Sequence, residues 1–521
     1  MTIHTLSAVE IAARLAKREL SSVEVVEALL ARIDAVNAGV VGYVHVRREE
    51  ALAEARRADE ARVKGEAHGA LHGLPISVKE SIDVAGLAST LGMKARLGRI
   101  AVEDAVVVRV ARSEGAIVLG KTNVPQTLLS PMETTNHLWG TSKNPWNRDR
   151  ATGGSSGGEG VVLATGMSVL GIGTDLGGSI RFPAAFCGVA GLKPTAYRWS
   201  NVGSNTAIAG QEVFRSQIGP MARTVSDLSL LLRALDSPKQ SPFDPFVAPA
   251  PIGDPGAIDF AGLRIGVYDD DGVVAAAPSC RRAVRQAADA LRAAGATVVD
   301  FQPPNLDEPV FLVFRVAGSD GLATLAKSLD GEPVIDPISL LWRIGRLPRP
   351  LRKALGVLLR ARGEERIARV LEAGGKKGVD ELWAMTARRA RLQIEEQDAW
   401  RAAGIDALVC PVHATTAGPH GSSKDFTLGF SYGARYNMLN LPAGVVPVTR
   451  VRPDEARPRE NPKDRIDRRA SEIDMASVGL PVAAQVVGRP WREDVVLAVM
   501  GAIEAGVRPA DGFPATPIDP R

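Results

Sequence analysis

The sequence has few cysteines, little net charge and no long apolar run. Its three cysteines, Cys187, Cys280 and Cys410, lie far apart without metal-ligand spacing, which excludes a disulfide framework and a zinc site. The 63 basic and 59 acidic side chains leave a net charge of +4, which argues against nucleic-acid binding. No apolar segment reaches about 18 residues, and the N-terminus lacks a basic stretch followed by an apolar run. We therefore expect a cytoplasmic protein in a reducing environment.

Apolar residues are plentiful, at 45% of 521, and they alternate between helical and strand patterns. Two capping boxes, at residues 7–10 and 21–24, each precede a run with helical spacing. Short apolar runs with β-branched residues, as at 74–79, predict buried strands. This alternation is typical of an α/β fold with a buried sheet. Further strands are predicted at 116–119, 263–268 and 297–301, and further helices at 47–63, 104–114, 225–235 and 280–294.

Two segments depart from this alternation. Residues 451–474 are rich in Arg, Asp, Glu and Pro, which predicts a polar surface insertion in the form of a solvated loop. Residues 343–363 carry seven basic side chains and no acidic one, with leucines on one helical face. Such a basic amphipathic helix either packs its apolar face into the core or lies on an anionic membrane surface.

A phosphate-binding pattern occurs at residues 115–122, which satisfy the expression G-x-x-x-x-G-K-[ST]. A true phosphate loop follows a strand and opens directly into a helix. Here the four variable positions are themselves a predicted strand, and Pro125 prevents an uninterrupted helix from starting at Lys121. We therefore reject nucleotide binding at this site.

A second pattern, Gly153, Ser155 and Gly157, fits the G-x-S-x-G nucleophile elbow of α/β-hydrolases. The elbow requires a preceding strand, whereas the polar loop 147–152 comes before Ser155. A histidine is also required, and His413 and His420 follow in an acceptable chain order. An esterase that uses Ser155 as its nucleophile therefore stays an alternative.

A third interpretation joins Ser155 to another glycine-framed serine, Ser179, and to Lys79 at the end of strand 74–79. A serine hydroxyl needs a base to remove its proton, and a lysine can serve when burial lowers its pKa. The ordinary lysine pKa is about 10.4, so a neutral Lys79 near pH 7 requires a protected site. Without the serines, Lys79 would be read as a solvated charge at a strand end.

The runs 74–80, 153–158 and 173–184 resemble the amidase signature family in their order and in the 24-residue spacing of the two serines. Residues 188–195 continue the resemblance, so that its signature core spans 72–228 and one amidase domain is expected over 1–521. The resemblance implies an α/β/α sandwich, with a large mixed β-sheet core covered by helices.

The same resemblance implies a Ser-Ser-Lys triad. Ser179 would be the nucleophile, Ser155 the bridging serine and Lys79 the general base, with a cis peptide bond between Gly154 and Ser155. No cofactor and no metal is implied. The residues expected around the triad are the oxyanion-hole donors Leu176, Gly177, Gly178 and Ser179, the supporting residues Ser156, Thr174, Asp175 and Arg181, and the substrate-binding residues Leu128 and Leu129.

Within the family, the runs 89–92, 122–126, 144–146 and 179–183 resemble fatty acid amide hydrolases. This implies hydrolysis of a linear small-molecule amide with an apolar or fatty acyl part. Phe182 departs from the glutamine-using branch, where Gln is common, but a glutamine-hydrolysing subunit of a tRNA-dependent amidotransferase stays an alternative. The resemblance places 343–363 in a membrane-facing cap, so we expect peripheral contact with the inner membrane face. A homodimer is compatible with the sequence.

Overall fold

The computed structural model describes residues 2–520, and thirteen strands lie in this range. Most of them belong to one sheet, and β4 and β5 form a separate pair. The strands are β1 (Tyr43–Val46), β2 (Pro75–Lys79), β3 (Ile117–Thr122), β4 (Thr135–Asn136), β5 (Gly140–Thr141), β6 (Leu170–Asp175), β7 (Ala190–Lys193), β8 (Gln217–Ala222), β9 (Arg264–Val267), β10 (Thr297–Asp300), β11 (Ala407–Pro411), β12 (Ala443–Arg450) and β13 (Pro481–Gly488).

The large sheet has eleven strands in the order β1-β3-β2-β6-β8-β7-β12-β13-β11-β9-β10. Strand β2 runs parallel to both β3 and β6, and β9 runs parallel to β10 and β11. The strands between these two parallel groups pair antiparallel, as β1 does with β3. The sheet is therefore mixed, as expected.

Eighteen α-helices are distributed along the described residues. The predicted capping boxes begin α1 and α2, and the predicted strands and helices are confirmed within a few residues of their limits. The helices are α1 (Ala8–Ala16), α2 (Ser22–Val40), α3 (Arg48–Lys64), α4 (Val106–Ser113), α5 (Gly157–Ala164), α6 (Arg181–Cys187), α7 (Val225–Ala234), α8 (Ser237–Gln240), α9 (Pro278–Ala293), α10 (Glu308–Ala317), α11 (Ala323–Leu329), α12 (Asp336–Arg346), α13 (Arg349–Ala361), α14 (Glu365–Ala373), α15 (Val379–Ala403), α16 (Ser431–Met438), α17 (Arg465–Met475) and α18 (Glu493–Val507).

Helices cover both faces of the sheet. All of β13 and nearly all of β12 are buried, and because successive side chains of a strand point to opposite faces, both faces are shielded from water. Helices α9 and α18 pack against each other and against β12 and β13, and α5 and α6 form another such pair on the sheet. This arrangement confirms the expected α/β/α sandwich.

Only the first half of the segment 451–474 is the largely exposed loop that its composition predicts. Its second half begins helix α17, which buries Ile466 and Ile473. The Asp464 side chain caps this helix by accepting from the backbone N–H groups of Ile466 and Asp467, and it also pairs with Arg366. Composition misleads for this second half because the helix buries apolar residues and pairs Asp464 with an arginine from a distant segment.

The segment 343–363 spans the end of α12 and all of α13. Within α13 the buried positions are Arg352 and Gly356, whereas Leu351, Val357 and Leu358 are exposed. The apolar face of α13 is therefore only partly packed, because Leu355 and Leu359 are half-buried while Leu351 and Leu358 are exposed. In residues 2–520, none of the helices combines the length and the apolar character needed to cross a bilayer.

We predict that Asp464→Ala opens helix α17, since it removes an N-cap and an ion-pair partner of Arg366. Loss of the cap alone costs about 1 kcal/mol, which raises the open population roughly fivefold. Limited trypsin digestion should therefore cut at Arg465 and Arg468 at least that much faster. Asp454→Ala is the matched control because Asp454 lies exposed in the same segment. Equal cleavage rates in the two variants would contradict the stabilising role of Asp464.

Candidate active site

The site lies at the carboxyl ends of two neighbouring parallel strands. Lys79 is the last residue of β2 and Asp175 is the last residue of β6. Lys79 is fully buried, and its Nζ donates to Ser155 Oγ at 2.7 Å and to Thr174 Oγ1 at 2.7 Å. The backbone carbonyl of Thr174 lies 3.4 Å from the same nitrogen. The sheet therefore brings together Lys79 and Ser155, which are 76 residues apart in sequence.

Burial lowers the pKa of Lys79 to about 7, although the carboxyl groups of Asp175, Glu159 and Glu80 oppose this change. An ammonium loses its hydration when it is buried, and this favours the neutral amine. Lys79 is therefore a protected lysine whose pKa lies well below its ordinary value, as the sequence interpretation requires. A neutral amine can accept a proton from the hydroxyl group it contacts.

Ser155 lies in the glycine-rich loop that leads into α5. The peptide bond between Gly154 and Ser155 is cis, which confirms the expectation for this position. Gly154 tolerates no side chain, because a Cβ atom there would lie 2.1 Å from the carbonyl oxygen of Ser130. The next residue, Ser156, donates its backbone N–H to the carbonyl of Ser179 at 3.0 Å. The loops that carry Ser155 and Ser179 are therefore in direct contact.

A buried ion pair between Asp175 and Arg181 organises the loop that carries Ser179. The guanidinium contacts the carboxylate twice, at 2.9 Å through Nε and at 3.0 Å through Nη2. Burial alone would raise the pKa of Asp175, but Arg181 and Asn437 hold it well below its ordinary value. Thr174 and Ser156 also lie in the site, where Ser156 Oγ donates to the Thr174 carbonyl at 3.3 Å. All four expected supporting residues are thus brought together.

One of the four expected oxyanion-hole donors is already occupied. The Gly178 N–H donates to Asp175 Oδ1 at 2.7 Å, so it is engaged within the loop. Within residues 2–520, the N–H groups of Leu176, Gly177 and Ser179 have no such acceptor. Gly178 is therefore the expected donor whose N–H already has an acceptor within the protein, a carboxylate three residues earlier. All four donors stay predictions.

An apolar cavity of about 170 Å³ opens at Ser179. Ser179 is only partly buried, and both Leu128 and Leu129 line the same cavity. The structure therefore places the two leucines predicted for substrate binding beside the predicted nucleophile. Among the described residues, no charged side chain lines the cavity. Its other walls include Ile208, Phe314, Leu325, Ile338, Trp342, Ile344, Val370 and Phe430.

The sequence interpretation missed Glu159, a buried carboxyl group behind Lys79. Ser77 donates to it at 2.6 Å and Thr122 at 2.7 Å, from strands β2 and β3. Burial raises the pKa of Glu159 to about 7, while both hydroxyl groups and Lys79 oppose the rise. The available signal was only its position, as an acidic residue four places after Ser155 in the glycine-rich segment, because Ser155 itself precedes α5. The segment 308–375, which supplies much of the wall of the apolar cavity, carried no such signal in its sequence.

The residues of the two competing motif matches lie in environments that do not fit a nucleophile elbow or a phosphate loop. No strand directly precedes Ser155, and His413 is enclosed by the rings of Phe182, Phe186 and Phe426. His420 is held by Glu133 at 2.8 Å. The elbow therefore lacks both its strand and its histidine. In the phosphate pattern, Lys121 lies within β3, where its Nζ binds the Ala88 carbonyl at 2.6 Å.

Comparison with known proteins agrees with this geometry. A family model described as Amidase matches residues 24–497. The chain belongs to the amidase family. This amidase is 37% identical to fatty-acid amide hydrolase 1 of Sus scrofa over 85% of its own length and 76% of that protein. It is 30% identical to a glutamyl-tRNA(Gln) amidotransferase subunit of Roseiflexus sp. over 96% of both chains. A solved fatty acid amide hydrolase structure superimposes with a TM-score of 0.84 at 28% identity, covering 97% of this chain and 85% of the other.

Family membership identifies this amidase as a hydrolase of amide carbon–nitrogen bonds. The resemblance to fatty acid amide hydrolases is also confirmed, in sequence and in structure. The relatives include both hydrolases and a component of an amidotransferase, so the family alone leaves the substrate open. The choice among substrates has to come from the shape and the chemistry of the site.

Proposed function

We propose that this amidase hydrolyses a linear amide with an apolar acyl group through an acyl-enzyme formed on Ser179. One observation carries the proposal: an uncharged apolar cavity opens at Ser179, beside the buried contact between Lys79 and Ser155. An acyl chain gains about 25 cal/mol for each Å² of surface that such a cavity removes from water. The carbonyl carbon would then lie at the mouth of the cavity, next to Ser179.

In the proposed reaction, neutral Lys79 takes the proton of Ser155 as Ser155 takes the proton of Ser179. The oxygen of Ser179 attacks the amide carbonyl, and the negative charge on the carbonyl oxygen faces the free N–H groups of Leu176, Gly177 and Ser179. One such donor is typically worth about 10²- to 10³-fold in rate. The proton then returns through Ser155 to the departing nitrogen, since an amine leaves poorly unless it is protonated.

Deacylation would follow the same proton route in reverse. A water molecule loses its proton through Ser155 to Lys79 and attacks the acyl carbon, which releases the acid and restores the Ser179 hydroxyl. Asp175 and Arg181 would take no proton in either step. Their ion pair would hold the loop so that three N–H groups stay turned toward the substrate.

The amidotransferase alternative is less well supported by the site. Glutamine carries an ammonium and a carboxylate on its α-carbon, and burying such charges without partners is costly. The apolar cavity, as far as the described residues form it, offers hydrophobic walls and the hydroxyl groups of Ser179 and Thr427. An apolar acyl chain therefore fits the cavity better than glutamine does.

We predict that Ser179→Ala lowers kcat by roughly 10⁴- to 10⁶-fold, because the nucleophile is removed. Release of acid from a series of medium- and long-chain acyl amides provides the measurement, and Ser241→Ala, outside the site, is the control. A fluorophosphonate probe should label Ser179 in the unaltered enzyme. Unchanged hydrolysis by Ser179→Ala, or labelling of Ser155 in its place, would contradict the assignment.

We predict that kcat/KM falls about tenfold per pH unit below about pH 7, because protonated Lys79 cannot act as a base. The Glu159 carboxylate favours the protonated lysine, so Glu159→Gln should move this acid limb to lower pH. Profiles between pH 5 and pH 9 provide the measurement. Glu103→Gln, at a carboxylate that is 77% exposed, is the control. An acid limb that stays in place in Glu159→Gln would exclude coupling between the two groups.

We further propose that residues 343–363 rest on an anionic membrane surface. Val357 is 66% exposed, and Leu351 and Leu358 are each 46% exposed. Exposed basic side chains at Lys353 and Arg362 border them. The neighbouring helix α12 lines the apolar cavity, so a membrane-bound enzyme could take an apolar amide directly from the lipid. An amphipathic surface of this kind binds through apolar burial and attraction to anionic lipids.

We predict that Leu351→Glu with Val357→Glu weakens sedimentation with phosphatidylserine-containing vesicles by roughly tenfold or more. The added carboxylates remove apolar contact and repel the anionic surface. Val102→Glu is the control, because Val102 is 92% exposed on another part of the chain. Binding of the double variant equal to that of the control would overturn this membrane assignment.

A further inference from the structure

A second pocket, which we call the polar pocket, adjoins the apolar cavity at the active site. Leu176 and Ile208 line both spaces, so the two meet at the loop that carries Ser179. The polar pocket has a volume of about 150 Å³. Hydroxyl, amide and charged side chains from 201–216 form the rest of its wall. With the acyl chain in the apolar cavity, the polar pocket is the adjoining space into which the amine side of the amide can extend.

Most of the polar pocket's amide groups are already committed to the protein. Asn201 donates to the Ser216 carbonyl at 2.6 Å, Asn205 donates to Asp83 at 2.8 Å, and Gln211 donates to the Phe214 carbonyl at 2.9 Å. These side chains shape the wall and have little capacity left for a ligand. The side chains left to bind a polar group of a ligand are therefore the charged pair in the same wall, Glu212 and Arg215.

Arg215 is held in place as a cation facing the pocket. Its guanidinium stacks on the ring of Tyr197 at 4.4 Å and approaches that of Phe246 at 5.7 Å. Its ion pair with Glu212 joins Nε to the carboxylate at 3.0 Å. Among the described residues, the two Nη groups have no acceptor. A guanidinium with two free nitrogens is suited to bidentate binding of a carboxylate.

Glu212 is the more exposed partner of this ion pair. Its side chain is 63% exposed, whereas that of Arg215 is 22% exposed. An ion pair of this kind contributes about 0 to 1 kcal/mol, so Glu212 competes only weakly with a substrate carboxylate that binds the two Nη groups. The aromatic rings keep the guanidinium in position for that carboxylate.

We propose that Arg215 binds a carboxylate on the amine half of the substrate, so that the substrate class is the N-acyl amino acids. This inference rests on the proposed function. The amide carbon–nitrogen bond breaks as the acyl group is transferred to Ser179 Oγ. The amino acid nitrogen takes the proton relayed by Ser155, and the free amino acid leaves through the polar pocket. Water then releases the acyl group as a carboxylic acid.

The test compares three amides with one acyl chain, made with glycine, ethanolamine and taurine. The measured quantity is the ratio of kcat/KM for the glycine amide to that for the ethanolamine amide. Arg215→Gln should lower this ratio roughly 10- to 100-fold, because a bond between charged groups is lost. Glu212→Gln should raise it, since the competing carboxylate is gone. Both rates come from one preparation, so the ratio does not depend on the folded fraction.

Arg233→Gln is the matched control, because Arg233 is an exposed arginine paired with Asp254 outside the pocket. It should leave the ratio unchanged. A ratio that stays the same in Arg215→Gln would overturn the inference. Dependence on Arg215 for the taurine amide alone would also overturn it, in favour of a sulfonate. Loss of all three activities in Ser179→Ala supports the proposed function separately, and failure of the unaltered enzyme to cleave any of the three would overturn both proposals.

Discussion

The burial of the Lys79 amino group is the constraint on which the site depends. A buried ammonium is costly, so the nitrogen is most stable as a neutral amine held by hydroxyl groups. Ser155 and Thr174 provide those hydroxyls. The nearby carboxyl groups of Asp175 and Glu159 favour the protonated amine and so oppose the effect of burial, and the pKa of the lysine is about 7. The base strength of the site is thus a balance between lost hydration and nearby carboxyl groups.

The Asp175 carboxylate, which pairs with Arg181, acts both on the pKa of Lys79 and on the loop that carries Ser179. The same carboxylate that affects Lys79 also accepts from the Gly178 N–H and fixes the bend before Ser179. The loop carries Leu176, Gly177 and Ser179, which line the apolar cavity, and Leu176 also lines the polar pocket. One buried carboxylate thereby serves both the proposed base and the shape of the proposed oxyanion hole.

The predictions from sequence succeeded where the chemistry is local. Capping boxes at Ser7 and Ser21 and the β-branched run before Lys79 were recognised because each depends on neighbouring residues. They failed where the partner lies far away. Arg366 reaches Asp464 across 98 residues, so composition around Asp464 predicted a loop where a capped helix forms. The apolar walls from 308–375 also come together only through packing.

The sequence by itself determined the α/β alternation, the family, and the identity of Lys79, Ser155 and Ser179 as the residues to examine, because glycine-framed motifs and strand patterns are local. Only the tertiary structure decided the burial that lowers the pKa of Lys79 and the division of the site into an apolar and a polar half. These properties depend on burial and on partners distant in sequence, and both come into existence only when the sheet has formed.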